Sequence, residues 1–375
     1  MAEFLELVET IRAEEASAKS AFAGDGMRIT SKNSPEYKTK LVEAVNLVNE
    51  VIKGKALATY KFQEAMSTSD FPILFGDIVD RQMLASYAET MVTYSAWAHV
   101  AEVPDFRPVE RIRSGGGNGV LKKVPELGEY QAVNRSEDMA QYRVEKHGAI
   151  FPVSREAIID DALGILRDQP ERFGVAARRT EERFATEMLV DTNFFSNDNE
   201  NLYEQPLTLE GISAVLDAMS QKVDETGSPI LNEQPAVLVV PPSLQIQAKN
   251  LLNATEFIRK TGSEHLRVQN WLSGQLTLAV NPWLPIVDTT NGAKSWYIAV
   301  APRADHAAAE IGFLRGHAAP ELFMKSPNAV AISGATVSPL DGDFDHDAVI
   351  YKVRHVLGGT MLDTKLIARS IVPSA

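Results

Sequence analysis

The stretch PERFGVAARRTEERFATEMLVD, residues 170–191, carries the clearest helical pattern in the sequence. Its apolar and small positions recur every three or four residues and fall on one face of a helix, namely Phe173, Ala177, Thr180, Phe184 and Met188. Arg178, Glu182 and Arg183 fall off that face, and Arg178 and Glu182 stand four residues apart, where opposite charges pair on a helix. A long helix with so narrow an apolar stripe is expected to lie across a sheet or a neighbouring element.

Helices and strands follow one another in mixed order around this helix. A second helix is predicted for residues 209–224, with Thr208 as its N-cap and Glu210 in its first turn. The stretch PAVLVVPPSLQIQAKNLLN, residues 235–253, predicts a buried strand, a proline turn and a helix. Further strands are predicted from QLTLAVNPWL, KSWYIAVAP and DHDAVIYKVRHVLGGTMLD. The mixture predicts an α+β fold.

The stretch RIRSGGGNGVLKKVPELGEY, residues 111–130, concentrates glycine beside two lysines. The glycines are Gly115, Gly116, Gly117 and Gly119. A P-loop needs a glycine directly before its lysine and a hydroxyl after it, whereas Lys122 and Lys123 are followed by Val124. A dinucleotide-binding fingerprint fails as well, because its third glycine position is Val120. Since glycine adopts positive φ freely, the stretch is interpreted as a flexible hinge.

This hinge is expected to belong to a long hairpin. One arm is the stretch before Tyr130, and the other is QYRVEKHGAIFPVS, residues 141–154, whose alternation predicts a strand. Protruding elements of this kind cannot bury their apolar faces on their own domain. They need neighbouring molecules, which favours a protein that assembles.

Composition limits the functions that the chain can have. The 375 residues include no cysteine, which excludes disulfides, thiolate metal sites and cysteine nucleophiles. The net charge of −13 argues against binding DNA through a basic face, so a DNA-binding module around residues 107–123 is a weaker alternative. The N-terminus carries acids where a signal peptide needs basic and apolar residues, and no apolar run approaches the roughly 18 residues of a membrane span. A soluble protein, intracellular at synthesis, is expected.

One acidic cluster is a candidate for chemistry. The stretch DGDFDHD, residues 341–347, brings four aspartates together with His346, and a hard cation or zinc could bind there. The calcium-loop pattern lacks its closing glutamate and its placed glycine, and neither HExxH nor GxSxG occurs. A metal-dependent hydrolase that uses this cluster with His355 remains an open alternative. The prediction is that the protein is not an enzyme and has no catalytic residue, cofactor or metal site.

The order of these stretches resembles the major capsid proteins of tailed bacteriophages, with the Hong Kong 97-like fold, and among them the Mu-like head subunits. KKVPELGEYQ followed by YRVEKHGAIFPVSREAIIDDALGILRD resembles the extended loop (E-loop) of that family as it returns into the peripheral domain. FGVAARRTEERFATEMLVD resembles the spine helix. AVLVVPPSL, VNPWL and SWYIAVAP resemble the central axial domain, and DHDAVIYKVRHVLGGTMLD resembles the C-terminal strand. The resemblance runs from Phe71 to the end of the chain.

The resemblance implies a division of the chain and a set of residues that contact neighbouring subunits. The expected segments are an N-terminal helical extension that is an arm or scaffold-like segment (1–65), an N-arm (66–111), the E-loop (112–150), the peripheral domain with the spine helix (151–235), the axial domain (236–340) and the C-terminal return strand (341–375). The expected contact residues on the E-loop are the four glycines, Lys122, Lys123 and Glu126. On the spine helix they are Phe173, Arg178, Glu182, Phe184 and Met188.

The function implied by the resemblance is that of a major capsid protein. Its copies would form the hexamers and pentamers of an icosahedral head around double-stranded DNA, which they would touch without sequence specificity. Implied partners are a portal and, where present, scaffold and decoration proteins, with no membrane. The protein would be part of the virion and would assemble in the host cytoplasm, and the spine helix would carry the curvature change between procapsid and mature shell. An encapsulin-type nanocompartment, which resembles the same fold, is the nearest alternative.

Overall fold

The structure is a computed structural model, and it describes residues 35–52, 61, 71–113, 124, 126, 138–154, 162–223, 235–261, 264–303, 307–325 and 348–373. The chain divides into two compact units. Unit 1 comprises Met1–Thr90, His147–Ala177 and Ala319–His355, and unit 2 comprises Met91–Lys146, Arg178–Ala318 and Val356–Ala375. No described helix is long and apolar enough to cross a membrane.

Helices and strands occur in mixed order along the described chain, which confirms the predicted α+β class. The helices are α1 (Pro35–Ile52), α2 (Phe71–Glu89), α3 (Ala162–Leu189), α4 (Leu209–Ser220), α5 (Gln245–Asn253) and α6 (Leu284–Val287), with 3₁₀ turns at Tyr94–Ala96 and Pro242–Leu244. The strands are β1 (Ala98–Val103), β2 (Val109–Arg113), β3 (Asp138–Tyr142), β4 (Glu145–Ser154), β5 (Leu202–Tyr203), β6 (Pro235–Val240), β7 (Glu256–Thr261), β8 (Glu264–Gln269), β9 (Thr277–Val280), β10 (Ser295–Val300), β11 (Ala309–Leu314), β12 (Glu321–Met324), β13 (Ala348–Met361) and β14 (Ile367–Ile371).

The long helix predicted for residues 170–191 is present as α3, but it begins eight residues earlier than the pattern indicated. Pro170, which was expected near the start of the helix, lies inside it. An interior proline removes one helical hydrogen bond and usually ends a helix. Pro170 is buried in unit 1, so packing outweighs this local preference. The shorter helix α4 has the predicted N-cap, because the Thr208 hydroxyl accepts a hydrogen bond from the Gly211 amide at 3.1 Å.

Unit 1 packs helices against one face of a small sheet. β12 runs antiparallel to the first part of β13, with Glu321 opposite Arg354 and Met324 opposite Tyr351. Within α1, Leu41 and Val45 lie four residues apart, on the same side of the helix, and both are buried.

Helix α2 contacts the first part of α3. The Ser86 hydroxyl donates a hydrogen bond to the Glu171 carbonyl at 2.9 Å. A Cβ on Gly174 would lie 2.8 Å from the Tyr87 backbone nitrogen, so the two helices approach closely at this glycine. The close approach fixes α2 against α3 within unit 1.

Unit 2 contains strands of both five-stranded sheets, the two-stranded pairs β2-β3 and β7-β8, and the larger apolar core. In one sheet β1 pairs in parallel with β11, and β11 pairs with the last part of β13 in the antiparallel sense. The second sheet has the strand order β5-β14-β10-β6-β9. All six residues of β10, SWYIAV, are buried, as expected for a strand covered on both faces.

The two faces of β10 contribute to two different apolar clusters. Tyr297 and Ala299 join a cluster that includes Trp97 and Leu189, whereas Trp296 and Ile298 join a cluster formed with α4 and α5. Burying a large apolar side chain of this kind contributes about 1.5–3 kcal/mol. The sheet that contains β10 is therefore covered by an apolar cluster on each face.

Candidate functional site

The predicted hairpin has a well-defined base in unit 2. β2 and β3 pair antiparallel, with Val109 opposite Tyr142 and Arg113 opposite Asp138. This pairing differs from the prediction, which took residues 141–154 as one strand and the stretch before Tyr130 as its partner. The observed strand is interrupted after Tyr142, and residues 114–137 connect the two paired strands.

The predicted hinge lies almost entirely outside the described residues. This applies to Gly115, Gly116, Gly117, Gly119, Lys122 and Lys123. Glu126 is described, and it is exposed in a turn. The base of the hairpin, formed by β2 and β3, lies within the described residues.

A buried carboxylate joins both strands of the hairpin base to the sheet. Arg111 of β2 donates a hydrogen bond through Nε to Glu310 of β11 at 2.6 Å. Tyr142 of β3 donates its hydroxyl to the same Oε1 atom of Glu310. Glu310 is only 4% exposed, so both interactions take place away from water. We call Arg111, Tyr142 and Glu310 the anchor triad.

The electrostatics of the anchor triad favour a charged arginine and a neutral tyrosine. Burial acts to lower the pKa of Arg111, but the hydrogen bond to Glu310 and its charge outweigh burial, and the pKa lies above its usual value. Burial raises the pKa of Tyr142, and the hydrogen bond and negative charge of Glu310 raise it further. Tyr142 therefore stays a hydrogen-bond donor over the whole physiological pH range.

Two opposed glycines let the hairpin base lie close to the sheet. Gly312 of β11 is directly opposite Gly358 of β13. A Cβ at position 312 would lie 2.6 Å from the Tyr142 hydroxyl oxygen, and one at position 358 would overlap the Arg143 carbonyl oxygen. Such separations are shorter than real side chains allow. The chain crosses the sheet directly above this pair, which explains why the strand stops after Tyr142.

The five predicted residues of the long helix do not form one surface. Phe173 belongs to unit 1 and contacts Phe151 edge-on, with ring centroids 6.0 Å apart. In unit 2, Phe184 and Met188 are half-buried and pack against the main apolar cluster. Arg178 and Glu182, the remaining two, belong to a polar network.

The predicted ion pair between Arg178 and Glu182 needs correction. Arg178 donates through Nη1 to Oε2 of Glu181 at 2.9 Å, and Tyr94 donates its hydroxyl to the same oxygen at 2.8 Å. Glu182 was expected off the buried face, but it is 6% exposed. It accepts hydrogen bonds from both the backbone amide and the hydroxyl of Thr93. The Glu182 carboxylate is buried because it accepts the hydrogen bonds that cap the turn beginning at Thr93.

Glu182 sits in an environment that disfavours its charge. Burial raises the pKa of Glu182, and the hydrogen bonds from Thr93 offset this only in part. The network continues along the helix, where the Asn281 side-chain amide donates to the Thr186 hydroxyl at 2.8 Å. These polar contacts hold the second part of α3 against the 3₁₀ turn and against the chain after β9.

Sequence reasoning missed the anchor triad and most of the polar network. One signal was available, since Glu310 is a single acidic residue inside the otherwise apolar strand AEIGFL. A charge in such a strand usually has a specific partner when buried. Its partners Arg111 and Tyr142 lie more than 150 residues away in sequence, so no local pattern identifies them.

The acidic cluster at residues 341–347 lies outside the described residues. His355, its suggested helper, is buried, and its ring contacts Tyr87 edge-on at 5.9 Å in unit 1. Within the part of the chain that the structure describes, no group of three or more histidine, aspartate or glutamate side chains could hold a metal ion. The described site fixes the paired strands β2 and β3 to β11 through Arg111, Tyr142 and Glu310.

Comparison with known proteins identifies a family. A family model described as "Phage capsid protein" matches residues 137–370, more than half of the chain. The comparison with curated proteins finds no match. The solved structures similar to this chain include one from Microbacterium phage Oxtober96, with 11% identity, a TM-score of 0.46, and coverage of 76% of this chain and 92% of that chain.

Two further similar structures come from a virus and a bacterium. The capsid of cyanophage P-SCSP1u has 9% identity and a TM-score of 0.46, covering 76% of this chain and 89% of that chain. The SrpI encapsulin of Synechococcus elongatus has 8% identity and a TM-score of 0.43, covering 73% of this chain and 84% of that chain. The family assignment rests on the sequence match over residues 137–370.

Proposed function

The chain belongs to the phage capsid protein family, and we propose that it is the major capsid protein of a tailed phage, whose copies form the hexamers and pentamers of an icosahedral head. The single observation that carries the proposal is the family match over residues 137–370. The head would enclose double-stranded DNA without sequence-specific contacts. Assembly would take place in the host cytoplasm, with a portal and, where the phage has them, scaffold and decoration proteins as partners.

The described residues support this role through the base of the hairpin. The anchor triad and the paired glycines fix β2 and β3 to a rigid sheet, while residues 114–137 extend between them. A segment of 24 residues held at both ends has the length to reach beyond its own subunit, because an arm of half that length extends up to about 40 Å. Within the proposal, Lys122, Lys123 and Glu126 near the tip contact a neighbouring subunit, and the four glycines provide the hinge.

The proposed division into N-terminal extension, N-arm, E-loop, peripheral domain, axial domain and return strand follows from the same membership. On this division α3, with Arg178 and Glu182, is the spine helix and lies within the peripheral domain. Within the proposal, the spine helix carries the curvature change between procapsid and mature shell. No catalytic activity is proposed.

The experiment that tests the proposal is assembly of the purified protein expressed alone. Light scattering and negative-stain imaging would show closed shells or rings of five and six subunits. A stable monomer or dimer at high concentration, also after addition of a scaffold protein from the same phage, would contradict the proposal.

Two alternative functions can be distinguished from a phage head by experiment. An encapsulin-type compartment would also form shells, and it would hold protein cargo rather than nucleic acid when purified from its natural source. The family model that matches describes phage capsid proteins, which favours the phage head. A metal-dependent hydrolase built on residues 341–347 would bind metal in stoichiometric amount and would lose activity on Asp345→Ala.

A further inference from the structure

A groove of about 760 Å³ lies in unit 2 beside the end of α3. Its apolar lining includes Phe184 and Met188 of α3 and Met361 at the end of β13. Phe184 and Met188 are only half-buried, so part of their apolar surface is open to a partner. We call this feature the α3 groove. Its volume falls within the range of binding clefts in proteins.

The rim of the α3 groove carries negative charge. Glu187 and Asp191 lie four residues apart, at and just after the end of α3, and both are exposed. Glu187 pairs with Arg183 at 3.0 Å, which compensates part of its charge. The Asp191 carboxylate accepts a hydrogen bond from the Asn193 amide at 2.8 Å, which holds it at the rim. An apolar floor with an acidic rim suits a partner that combines an apolar side chain with a cation.

The loop between β1 and β2 has this combination. Its sequence is PDFRP, residues 104–108, and the proline at each end restricts the backbone. Phe106 is 44% exposed, and the Arg107 side chain is 88% exposed. We call residues 104–108 the proline-flanked loop. It presents an aromatic ring and a cation to its surroundings.

Local contacts order the proline-flanked loop. The Arg107 amide donates to Asp105 Oδ1 at 2.9 Å, and Arg107 Nε lies 3.3 Å from Asp105 Oδ2. Lys146 Nζ lies 5.1 Å from the centroid of the Phe106 ring, within the distance of a cation–π contact. Two cations and one acid therefore surround an exposed ring. A loop that is already ordered loses less entropy when it binds.

The loop and the groove lie at opposite ends of the same sheet. β1 runs parallel to β11 and ends with Val103 opposite Leu314, and the proline-flanked loop follows Val103. At the other end, Met361 of the α3 groove is opposite Ala309 of β11. The distance along β11 from Ala309 to Leu314 is about 17 Å. The loop therefore lies away from the groove of its own copy, and a second copy is needed to bring the two together.

We propose that the proline-flanked loop of one copy binds in the α3 groove of a second copy. Phe106 packs on Phe184 and Met188, and Arg107 pairs with Asp191 at the rim. The inference rests on the proposed function, because it needs copies that assemble, and it specifies a contact between them.

This contact is head-to-tail, because it joins two different surfaces of the chain. Each copy in a row offers its loop to one neighbour and its groove to the other. Head-to-tail contacts of this kind close into a ring when the rotation from copy to copy divides a full turn. Hexamers and pentamers have this symmetry.

Removal of the exposed ring tests the apolar part of the contact. Phe106→Ala is expected to raise the protein concentration needed for assembly by about tenfold, which corresponds to ~1.4 kcal/mol per contact. Because Phe106 is partly exposed, the monomer should keep its fold, which circular dichroism checks. Ile246→Ala shortens a 75% exposed side chain of α5 and is the matched control.

Charge exchange tests the pairing at the rim. Arg107→Glu and Asp191→Lys are each expected to raise the concentration needed for assembly. The double variant is expected to restore assembly towards the wild-type concentration, because the two charges have exchanged places. Lys249→Glu, which reverses the charge of an exposed lysine of α5, is the control for net charge.

Cross-linking tests whether the contact joins two copies. Because the natural chain has no cysteine, a short bis-maleimide would link only introduced cysteines. The linker is needed because two long side chains in contact can hold their Cα atoms further apart than the roughly 7 Å that a disulfide allows. Arg107→Cys mixed with Asp191→Cys is expected to give a linked dimer. Lys249→Cys mixed with Asp191→Cys is the control and should give none.

A chain that carries both cysteines tests the head-to-tail arrangement. It is expected to give a ladder of linked copies that ends at the pentamer and the hexamer. A dimer from Asp191→Cys alone would indicate a contact between two grooves and would overturn the proposal. An Asp191→Cys thiol that is protected from maleimide in the free monomer would show the groove filled by its own chain, which would also overturn it.

The outcomes separate this inference from the proposed function. Shells that form without the linked dimer, or equally well from Phe106→Ala and Arg107→Glu, would overturn the loop-and-groove contact and leave the shell function intact. Linked copies that never close into rings or shells would support the contact and count against the proposed function. A wild-type chain that neither assembles nor cross-links would contradict both.

Discussion

Glu310 brings a carboxylate into an otherwise apolar strand and holds both Arg111 and Tyr142. Glu310→Gln removes the charge and leaves the Arg111 guanidinium, about one third exposed, without its partner. We expect the free energy of unfolding to fall by about 2 kcal/mol, below the 3–5 kcal/mol typical of a fully buried pair because Arg111 is partly solvated. Urea denaturation followed by circular dichroism measures the change.

The control for the Glu310 substitution is a solvent-exposed ion pair of the same protein. Arg143 and Glu145 form a bridge at 2.9 Å with both side chains more than half exposed. Glu145→Gln is expected to change stability by about 0.5 kcal/mol or less. Equal effects of the two substitutions would show that the anchor triad contributes no more than a surface pair.

Lys222 gives the fold a pH dependence at alkaline pH. It is 9% exposed and donates to the Thr364 carbonyl oxygen at 3.2 Å. Burial lowers the pKa of Lys222 to about 8, and Asp363 and Glu200 oppose the shift only in part. Between pH 8 and the unfolded value of 10.5 the unfolded chain binds the proton and the folded chain does not, so Lys222 makes stability rise with pH across that window.

Lys222→Met is therefore expected to stabilise the protein at pH 7 by about 1–2 kcal/mol, since no charge is buried. The advantage should shrink as the pH approaches 10, where the wild-type lysine is neutral in the folded state. Thermal unfolding of both proteins at pH 7 and pH 10 measures it, with exposed Lys249→Met as the control. An equal difference in stability between the two proteins at pH 7 and at pH 10 would contradict the lowered pKa of Lys222.

At the scale of elements, the crossing of the hairpin base over β13 depends on the absence of a side chain at Gly358. A Cβ there would overlap the Arg143 carbonyl and lie 2.9 Å from the Val144 Cα, and both are backbone atoms that cannot rotate away. Gly358→Ala is expected to destabilise unit 2 by about 2–3 kcal/mol, as overpacking of a tight site does. Differential scanning calorimetry gives the change in melting temperature.

Gly76 is the matched control, since it also lies in a regular element. It is in α2, and a Cβ there would meet nothing within 4 Å. Gly76→Ala should stabilise by about 0.5–1 kcal/mol, because alanine is the better helix former. If both substitutions changed the stability in the same direction, the close crossing at Gly358 would be contradicted.

The hinge of the hairpin is expected to serve assembly rather than folding. Deletion of residues 115–119 shortens a segment that lies between two paired strands, so the monomer should keep its circular dichroism spectrum and melting temperature. Shell formation should be impaired because the tip no longer reaches its contact. Replacement of the five residues by an equally long glycine–serine stretch is the control and should assemble. Normal shells from the deletion would contradict the hinge.

Elements with strong local patterns were predictable from the sequence, whereas contacts between distant segments were not. β10 follows from its continuous apolar run, β13 follows from its alternation, and α4 follows from Thr208 and the periodic residues after it. The start of α3 was missed because burial of Pro170 overrides its local preference. Glu182 was placed on the wrong face because its partner Thr93 lies 89 residues away, and helical spacing carries no information about it.

At the scale of the whole molecule, membership of the phage capsid family fits a described site whose buried charges hold chain segments in place. The anchor triad has a tyrosine held neutral and a carboxylate already bound by two donors. Their role in the fold is to hold a segment in place, which is what a subunit that binds its neighbours requires.

The acidic stretch at residues 341–347 distinguishes a shell protein from a metal enzyme, because only the enzyme needs a bound metal there. Its aspartates alternate along the sequence and lack the closing glutamate of a calcium loop, so they are expected to be solvated carboxylates. Asp345→Ala and treatment with a chelator should both leave shell assembly unchanged, as measured by light scattering. Elemental analysis should find no stoichiometric divalent metal, with an EDTA-dialysed sample as the control. A bound metal that is lost in Asp345→Ala, together with a loss of assembly or activity, would contradict this prediction.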